Sequence, residues 1–387
     1  MVVASFGLSL GTAVLTSVTT QTTAAVRAPL TMTAAEAPAD DVLIAGQSDI
    51  IVERFVLRAG RESMTVDTLS FQNCLTGDTK DYDGDCADTD ETAGNDDAIA
   101  QIALLYNDGT YDRKSRGAIV DGIATFENLS IALPAGVDVP VSLRIATAAI
   151  DSSTVTSGDQ FQLNLNALTL PFHAVTTRHA TVIDETSVKK NVIGSVRTLR
   201  QTLATLTLSS TAPAVTINDD WSEAFRVDVS ATSTGAATLN ELTLALDIIN
   251  NGGGNWNTCP FLGASADNYS LVNVATGTAV DATWDVYDVD GTACSEENDD
   301  AVGYFHITFT TPESIPAGTV VTYAFYLDAT YANTTAHDIL RVTIPEEDDA
   351  DLPTDVPAIV WTDGVSTDDI DGTEIDSLPV VGNLLTF

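Results

Sequence analysis

Residues 124–147, ATFENLSIALPAGVDVPVSLRIAT, return as residues 303–330, GYFHITFTTPESIPAGTVVTYAFYLDAT, around a shared turn, Pro134-Ala135-Gly136 and Pro316-Ala317-Gly318. On both sides of the turn apolar residues alternate with polar ones, the period of a strand with one buried face. Three more pairs of segments keep the same order. IVERFVLRAG (51–60) matches SEAFRVDVSA (222–231), aligned as Glu53 with Glu223 and Phe55 with Phe225. DTLSF (67–71) matches NELTL (240–244), and NVIGSVRTL (191–199) matches PVVGNLLTF (379–387). Four segments repeated in order indicate a duplicated domain. The same alternation runs through Phe161-Leu163-Leu165 and Leu340-Val342-Ile344, and no long run has the three-and-four spacing of a capped helix. These patterns predict an all-β chain of two tandem, related antiparallel β-sandwich domains, immunoglobulin-like or jelly-roll-like, with an N-terminal extension. The expected limits are 1–40 for an apolar segment and linker, 41–200 for the first domain and 201–387 for the second. DVLIAG (41–46) opens the first domain and ATLTLSS (204–210) the second.

The 387 residues suffice for two cores, and the scarcity of Lys and Met beside abundant Val and Thr favours strands. The formal charge of −39 excludes nucleic acid and anionic membrane surfaces as partners, because those require clustered cations. The charge is uneven. Residues 1–200 hold 14 Lys and Arg against 25 acids, whereas residues 201–387 hold only Arg226 and Arg341 against 30 acids. A less acidic half and a very acidic half suit head-to-tail contact between copies; a solvated acidic surface is the plainer reading.

The run AGQSDIIVERFVLRAGRESMTVDTLSF (45–71) resembles a recurring β-sandwich module of bacterial and archaeal surface proteins, in which one strand of alternating apolar residues is followed by another of the same kind. The resemblance covers about 30 residues per domain. It implies a surface or stalk protein and carries no catalytic residues.

Cys74, Cys86, Cys259 and Cys294 fall two per half at separations that close local loops, which predicts Cys74–Cys86 and Cys259–Cys294 disulfides and an oxidising compartment. Zinc is the alternative, without C-x-x-C spacing or a nearby His to support it. Residues 1–26 carry no charged side chain, yet they lack the basic start of a signal peptide and are too diluted by Ser, Thr and Gly for a clear membrane helix. Phe6, Leu8 and Leu10, then Val14 and Val18, keep a period of two. A lone strand needs a sheet edge to join. That edge belongs to a neighbouring copy, as in donor-strand complementation, or to the chain's own domain; an apolar helix is the third reading.

Two Asp-rich loops, DTKDYDGDCADTDE (78–91) and DVYDVDGTACSEEND (285–299), are the candidate metal sites. Asp81, Asp83, Asp85 and Asp90 in one, and Asp288, Asp290 and Glu297 in the other, place carboxylates around a Gly turn in a way that suits calcium. The first ligand place holds Thr79 or Val286, so an EF-hand is not expected, and a solvated Asp-Gly hairpin is the competing reading. His173, His179, His306 and His337 lie in no metal or catalytic spacing, and nucleophile-elbow, phosphate-loop and dinucleotide-binding patterns are missing, so no catalytic residue is expected. Trp221, Trp256, Trp284 and Trp361 read as core residues before sugar platforms. Of the sequons at Asn128, Asn268 and Asn333, the first falls in an apparent strand, which weakens it. The expectation is therefore an extracellular subunit of a filament (pilus or fibre) or surface layer, its partner being copies of itself in a head-to-tail homopolymer, outside the membrane once assembled. A calcium-dependent adhesin that binds glycans is the alternative.

Overall fold

The structure is a computed structural model describing residues 30–35, 41–76, 86, 91–150, 154–188, 191–214, 220–251, 256–259, 265–294, 302–366 and 368–387. Strands dominate it. One sheet runs in the order β1 (Leu30–Ala34), β3 (Ile50–Ala59), β10 (Asp138–Thr147), β6 (Ile99–Asn107), β7 (Asp112–Gly117). The sheet that covers it is built on β4 (Met64–Thr76) and β11 (Gln160–Asn166). β5 (Glu91–Ala93), β8 (Ile123–Phe126), β9 (Ile131–Leu133) and β12 (His173–Thr176) pair with β4, and β13 (Val182–Asp184) extends β12. β14 (Asn191–Val192) and β15 (Val196–Arg200) pair with β11, and β2 (Val42–Ile44) joins β15 in parallel.

The plan recurs. A second sheet pair has one layer ordered β16 (Ala204–Leu208), β17 (Trp221–Ala231), β23 (Val320–Asp328), β19 (Tyr269–Asn273), β20 (Thr278–Ala279). The facing layer runs β21 (Ala282–Asp288), β22 (Val302–Ile315), β18 (Ala237–Ile249), β24 (Ile339–Ile344), β26 (Val380–Val381), with β25 (Ile359–Thr362) on β18 and β27 (Leu385–Thr386) on β24. Among the described residues every strand pair but β2–β15 is antiparallel.

Alternation makes the cores. On β3, Phe55, Leu57 and Ala59 turn inward and are fully buried while Arg54 and Arg58 face water. One core draws residues from Leu30 to Leu199, the other from Ala204 to Phe387. Only three residues separate β15 from β16. The repeated Pro-Ala-Gly turn is placed alike in both halves, and its glycines take positive φ, +72° at Gly136 and +65° at Gly318, where a side chain would be strained.

Two expectations are corrected. The linker expected through residue 40 contains β1, whose Leu30, Met32 and Ala34 pair with Ala59, Leu57 and Phe55. β16 pairs with β17 in the same way, Ala204 opposite Ala231 and Leu206 opposite Val229. The counterpart of ATLTL is therefore LTMTA at 30–34, not the strand at 42–44. Register corrects the other. β3–β10 slips at Val52 and β17–β23 at Ala224, and Val139 opposite Leu57 matches Val321 opposite Val229. Phe55 thus corresponds to Val227, and Glu53 to Phe225 rather than Glu223. A period-two pattern looks the same after a shift of two residues, so alternation alone cannot fix the offset. The match of DTLSF with NELTL stands, since both strands bulge at the matched Asp67 and Asn240.

Candidate functional site

Both disulfides are formed, with Cα separations of 5.8 Å for Cys74–Cys86 and 5.4 Å for Cys259–Cys294. That consumes all four thiols, so no cysteine is left as a zinc ligand. The Glu91 carboxylate lies within 4.8 Å of the first pair's sulfurs, which as a disulfide offer no thiolate. Cys74 sits inside β4, and β5 returns to pair Ala93 with Cys74, so this bond staples an acidic excursion at its base. The second bond joins two different loops, one after β18 and one after β21. The two D-x-D-G loops are thus alike in letters but differ in place, one leaving β4 and the other leaving β21.

Asp81, Asp83, Asp85, Asp90 and Glu297 lie outside the described residues, as does the assembly segment with Phe6, Leu8, Leu10, Val14 and Val18. Asp288 and Asp290 are described. Asp288 is buried; its Oδ1 accepts the backbone N–H of Asp290 at 3.1 Å and of Thr292 at 2.7 Å, and its carbonyl accepts from Gly291 at 3.1 Å. These bonds close a β-turn with an Asx cap, and Asp290 points to solvent. The described part of this loop spends its buried carboxylate on the turn.

The histidines have separate partners: Asp67 for His173 at 2.7 Å, Glu62 for His179 at 2.8 Å, Glu241 for His306 at 3.3 Å and the Phe387 carbonyl for His337 at 3.2 Å. Burial pushes the His306 pKa down, against the opposing pull of Glu241 and Asp285. Trp256 and Trp361 are fully buried, and Trp284 stacks against Tyr269 at 4.8 Å. Trp221 is 45% exposed. The sequon at Asn128 lies in an exposed turn at φ +55°, between β8 and β9, and not within a strand.

Two polar clusters were not evident from sequence. At the junction between the domains Asp363 is fully buried; it accepts the Gln201 N–H at 2.8 Å, the Ser366 N–H at 2.8 Å and the Ser157 hydroxyl. Beside it Arg200 makes a forked pair with Glu374, at 2.5 and 2.7 Å. The fork holds the Arg200 pKa above its usual value, against the lowering effect of burial. Side chains from both halves thus converge on the short connection.

Inside the first domain Arg197 (1% exposed) faces Glu53 (3% exposed) at 3.8 Å. Arg197 also donates to the Val52 carbonyl at 2.8 Å and to Asp41 at 3.0 Å, while Glu53 accepts the Ser195 N–H at 2.6 Å. Burial pushes the Glu53 carboxyl up to about 7, although the Ser195 bond and Arg197 oppose it. In the second domain the corresponding places hold Phe225 and Leu385, both buried. Gly194 and Gly382 lie under these places, and a Cβ on either would come within 2.4 Å of a backbone carbonyl.

No protein-family model matches the chain, and no curated protein does. Among solved structures it aligns with the partial N-terminal region of the enterococcal surface protein at 8% identity and TM-score 0.24, covering 81% of this chain and 88% of that one. A putative membrane-anchored protein from Corynebacterium diphtheriae aligns at 7% identity and TM-score 0.20, covering 92% and 91%. The CupB6 tip adhesin from Pseudomonas aeruginosa aligns at 8% identity and TM-score 0.21, covering 81% and 92%. The fold itself is read from the strands: two tandem, related antiparallel β-sandwiches with disulfide staples that suit an oxidising compartment.

Proposed function

We propose that the chain is an extracellular structural subunit that assembles with copies of itself into a filament or surface layer, its apolar N-terminal segment adding a strand to a neighbouring copy. The observation that carries this reading is an open sheet edge. β21 pairs with β22 on one side. Its other side is taken at the C-terminal end, where the Val286 carbonyl accepts from Cys294 and the Asp288 N–H donates to Thr292. Among the described residues it has no strand partner there over Ala282–Asp285. An open edge offers unpaired N–H and C=O groups to an incoming strand. The alternating run around Phe6, Leu8 and Leu10 is of similar length. Residues 1–29 precede β1 directly, so they can be removed without cutting a described strand. Their deletion is expected to leave folded monomers where the full chain sediments as polymers; polymers from the deleted chain would end the strand-addition reading.

Exposed aromatics favour a second reading, a calcium-dependent glycan-binding surface protein. Trp221 (45% exposed) opens β17 opposite Asp328, and Tyr331 (58% exposed) follows β23 closely. If this reading holds, glycan-array binding disappears on adding a chelator and on Trp221→Ala. Arrays that stay blank with calcium present contradict it.

A further inference from the structure

The two copies of the fold carry different charge on the same face: cations gather on it in the first domain and not in the second. In the first domain, register places Arg54, Ser142, Leu105 and Lys114 in one row across β3, β10, β6 and β7. Arg144, Ala103 and Arg116 form the next row, and Arg58 stands opposite Asp138 at the far end. The alternate residues Phe55, Leu57, Val141, Leu143 and Leu104 are in the core, so these rows face outward. Arg54, Arg58, Lys114 and Arg116 are exposed and Arg144 is half-buried. Arg54 and Lys114 stand three strands apart, roughly 14 Å.

Three carboxylates share this face; Asp112, on the same side of β7 as Lys114 and Arg116, accepts the Asn107 amide at 2.9 Å. Asp49 bonds Lys114 at 2.6 Å and Arg144 at 2.5 Å, and Asp138 bonds Arg58 at 3.2 Å. The Lys114 bond holds the Asp49 carboxyl below its usual range. Arg54 and Arg116 have no ion-pair partner among the described residues. A hollow of about 230 Å³ opens here, lined by Ser48, Asp49, Gln101, Lys114, Arg116 and Arg144.

The second domain lacks this cationic face. Arg226 stands in the place of Arg54, but Glu223 grips it at 2.5 and 2.8 Å. Asp228 replaces Val56, Ser230 replaces Arg58 and Tyr326 replaces Arg144. Exposed charges on a strand face contribute little to stability, so the fold does not require these cations in one copy when the other does without them. Nor does solubility require a cationic face on a chain of charge −39. Opposed potentials on one molecule are what a contact between copies uses.

We infer that the outer face of the β1-β3-β10-β6-β7 sheet is a docking surface for the acidic second domain of another copy. This rests on the self-assembly reading above and names the surfaces of a contact distinct from strand addition. Because the two surfaces differ, each copy offers both, and the contact propagates without closing.

The test compares the full-length chain with an Arg54→Glu, Lys114→Glu, Arg116→Glu variant by sedimentation at about 20 mM and about 0.5 M salt, where screening lengths differ several-fold. All three side chains are exposed, and thermal unfolding checks that the variant is folded. The wild type is expected to self-associate with an affinity that falls at least about tenfold from low to high salt. The variant loses that salt-sensitive step, yet still joins wild type one to one through its intact second domain. A variant that associates as the wild type does would overturn the inference. So would unchanged self-association together with lost binding of polygalacturonate, which would assign the face to an anionic polysaccharide. Polymers that resist high salt and show no salt-sensitive step would overturn this contact and leave strand addition standing. Wild-type chain that stays monomeric at both salts overturns both.

Discussion

Arg197→Leu is expected to destabilise the first domain by about 3–5 kcal/mol at pH 8, and adding Glu53→Phe to restore most of that loss. The single change strands the Glu53 carboxylate, 3% exposed, without its guanidinium and removes bonds to the Val52 carbonyl and Asp41. A buried charge without its partner costs more than a pair contributes, whereas replacing both members by apolar groups of fitting shape is often neutral or stabilising. The protein contains that replacement already. Phe225 and Leu385 occupy the corresponding places in the second domain, over a glycine in the same position. Chemical denaturation of the first domain in the wild type, the single and the double variant measures both steps.

The same pair sets a pH dependence. The folded Glu53 carboxyl is pushed up to about 7, above its ordinary 4.5. Between those values the folded state holds a proton that the unfolded chain has released, so stability falls as pH rises through this window and levels off above it. The loss amounts to at most about 3 kcal/mol, at 1.36 kcal/mol per pKa unit. Glu53→Gln is expected to flatten the stability profile between about pH 4.5 and 7. A slope unchanged by that substitution would show that Glu53 does not carry it. The cost of Arg197→Leu is accordingly smaller at pH 5, where Glu53 is neutral.

Removing the disulfides ranks next in expected effect. Cys259 and Cys294 are 35 residues apart, Cys74 and Cys86 are 12. Loop-closure entropy then gives about 4 kcal/mol for opening the first-named bond and about 3 kcal/mol for the other. The larger loss is expected in the second domain, whose bond ties the loops that leave β18 and β21 on either side of β22. Cys259→Ser with Cys294→Ser should therefore lower the second domain's midpoint more than Cys74→Ser with Cys86→Ser lowers the first domain's. Equal shifts, or none, in separate urea transitions would contradict this ranking of the two bonds.

Alternation and a repeated turn made the all-β class and the duplication legible, because burial on one face of a strand writes itself into every second residue. The same regularity hid the register: Glu53 looked like Glu223 when its place belongs to Phe225, and the buried ion pair disappeared with that misalignment. β1 is hard to read in the sequence because LTMTA is short and adjoins an Ala- and Pro-rich stretch. Its alternation of apolar residues with Thr is the signal that ATLTL shares. The acidic loops showed the opposite failure, since shared letters suggested one site twice while topology puts them after different strands. Asp363 carried no signal at all. Its burial arises only when Ser157, Gln201 and Asp363, far apart in sequence, meet at the junction. The cationic face was half legible, as the charge asymmetry between halves, but its concentration on one sheet needed the pairing of β3, β10, β6 and β7.

Electron microscopy of the purified full-length chain beside a chain starting at residue 30 tests the assembly claim most directly. Ordered filaments or sheets are expected from the full chain and separate two-lobed particles from the shortened one. Separate particles from both, at concentrations and salt conditions where the chain stays folded, would contradict it.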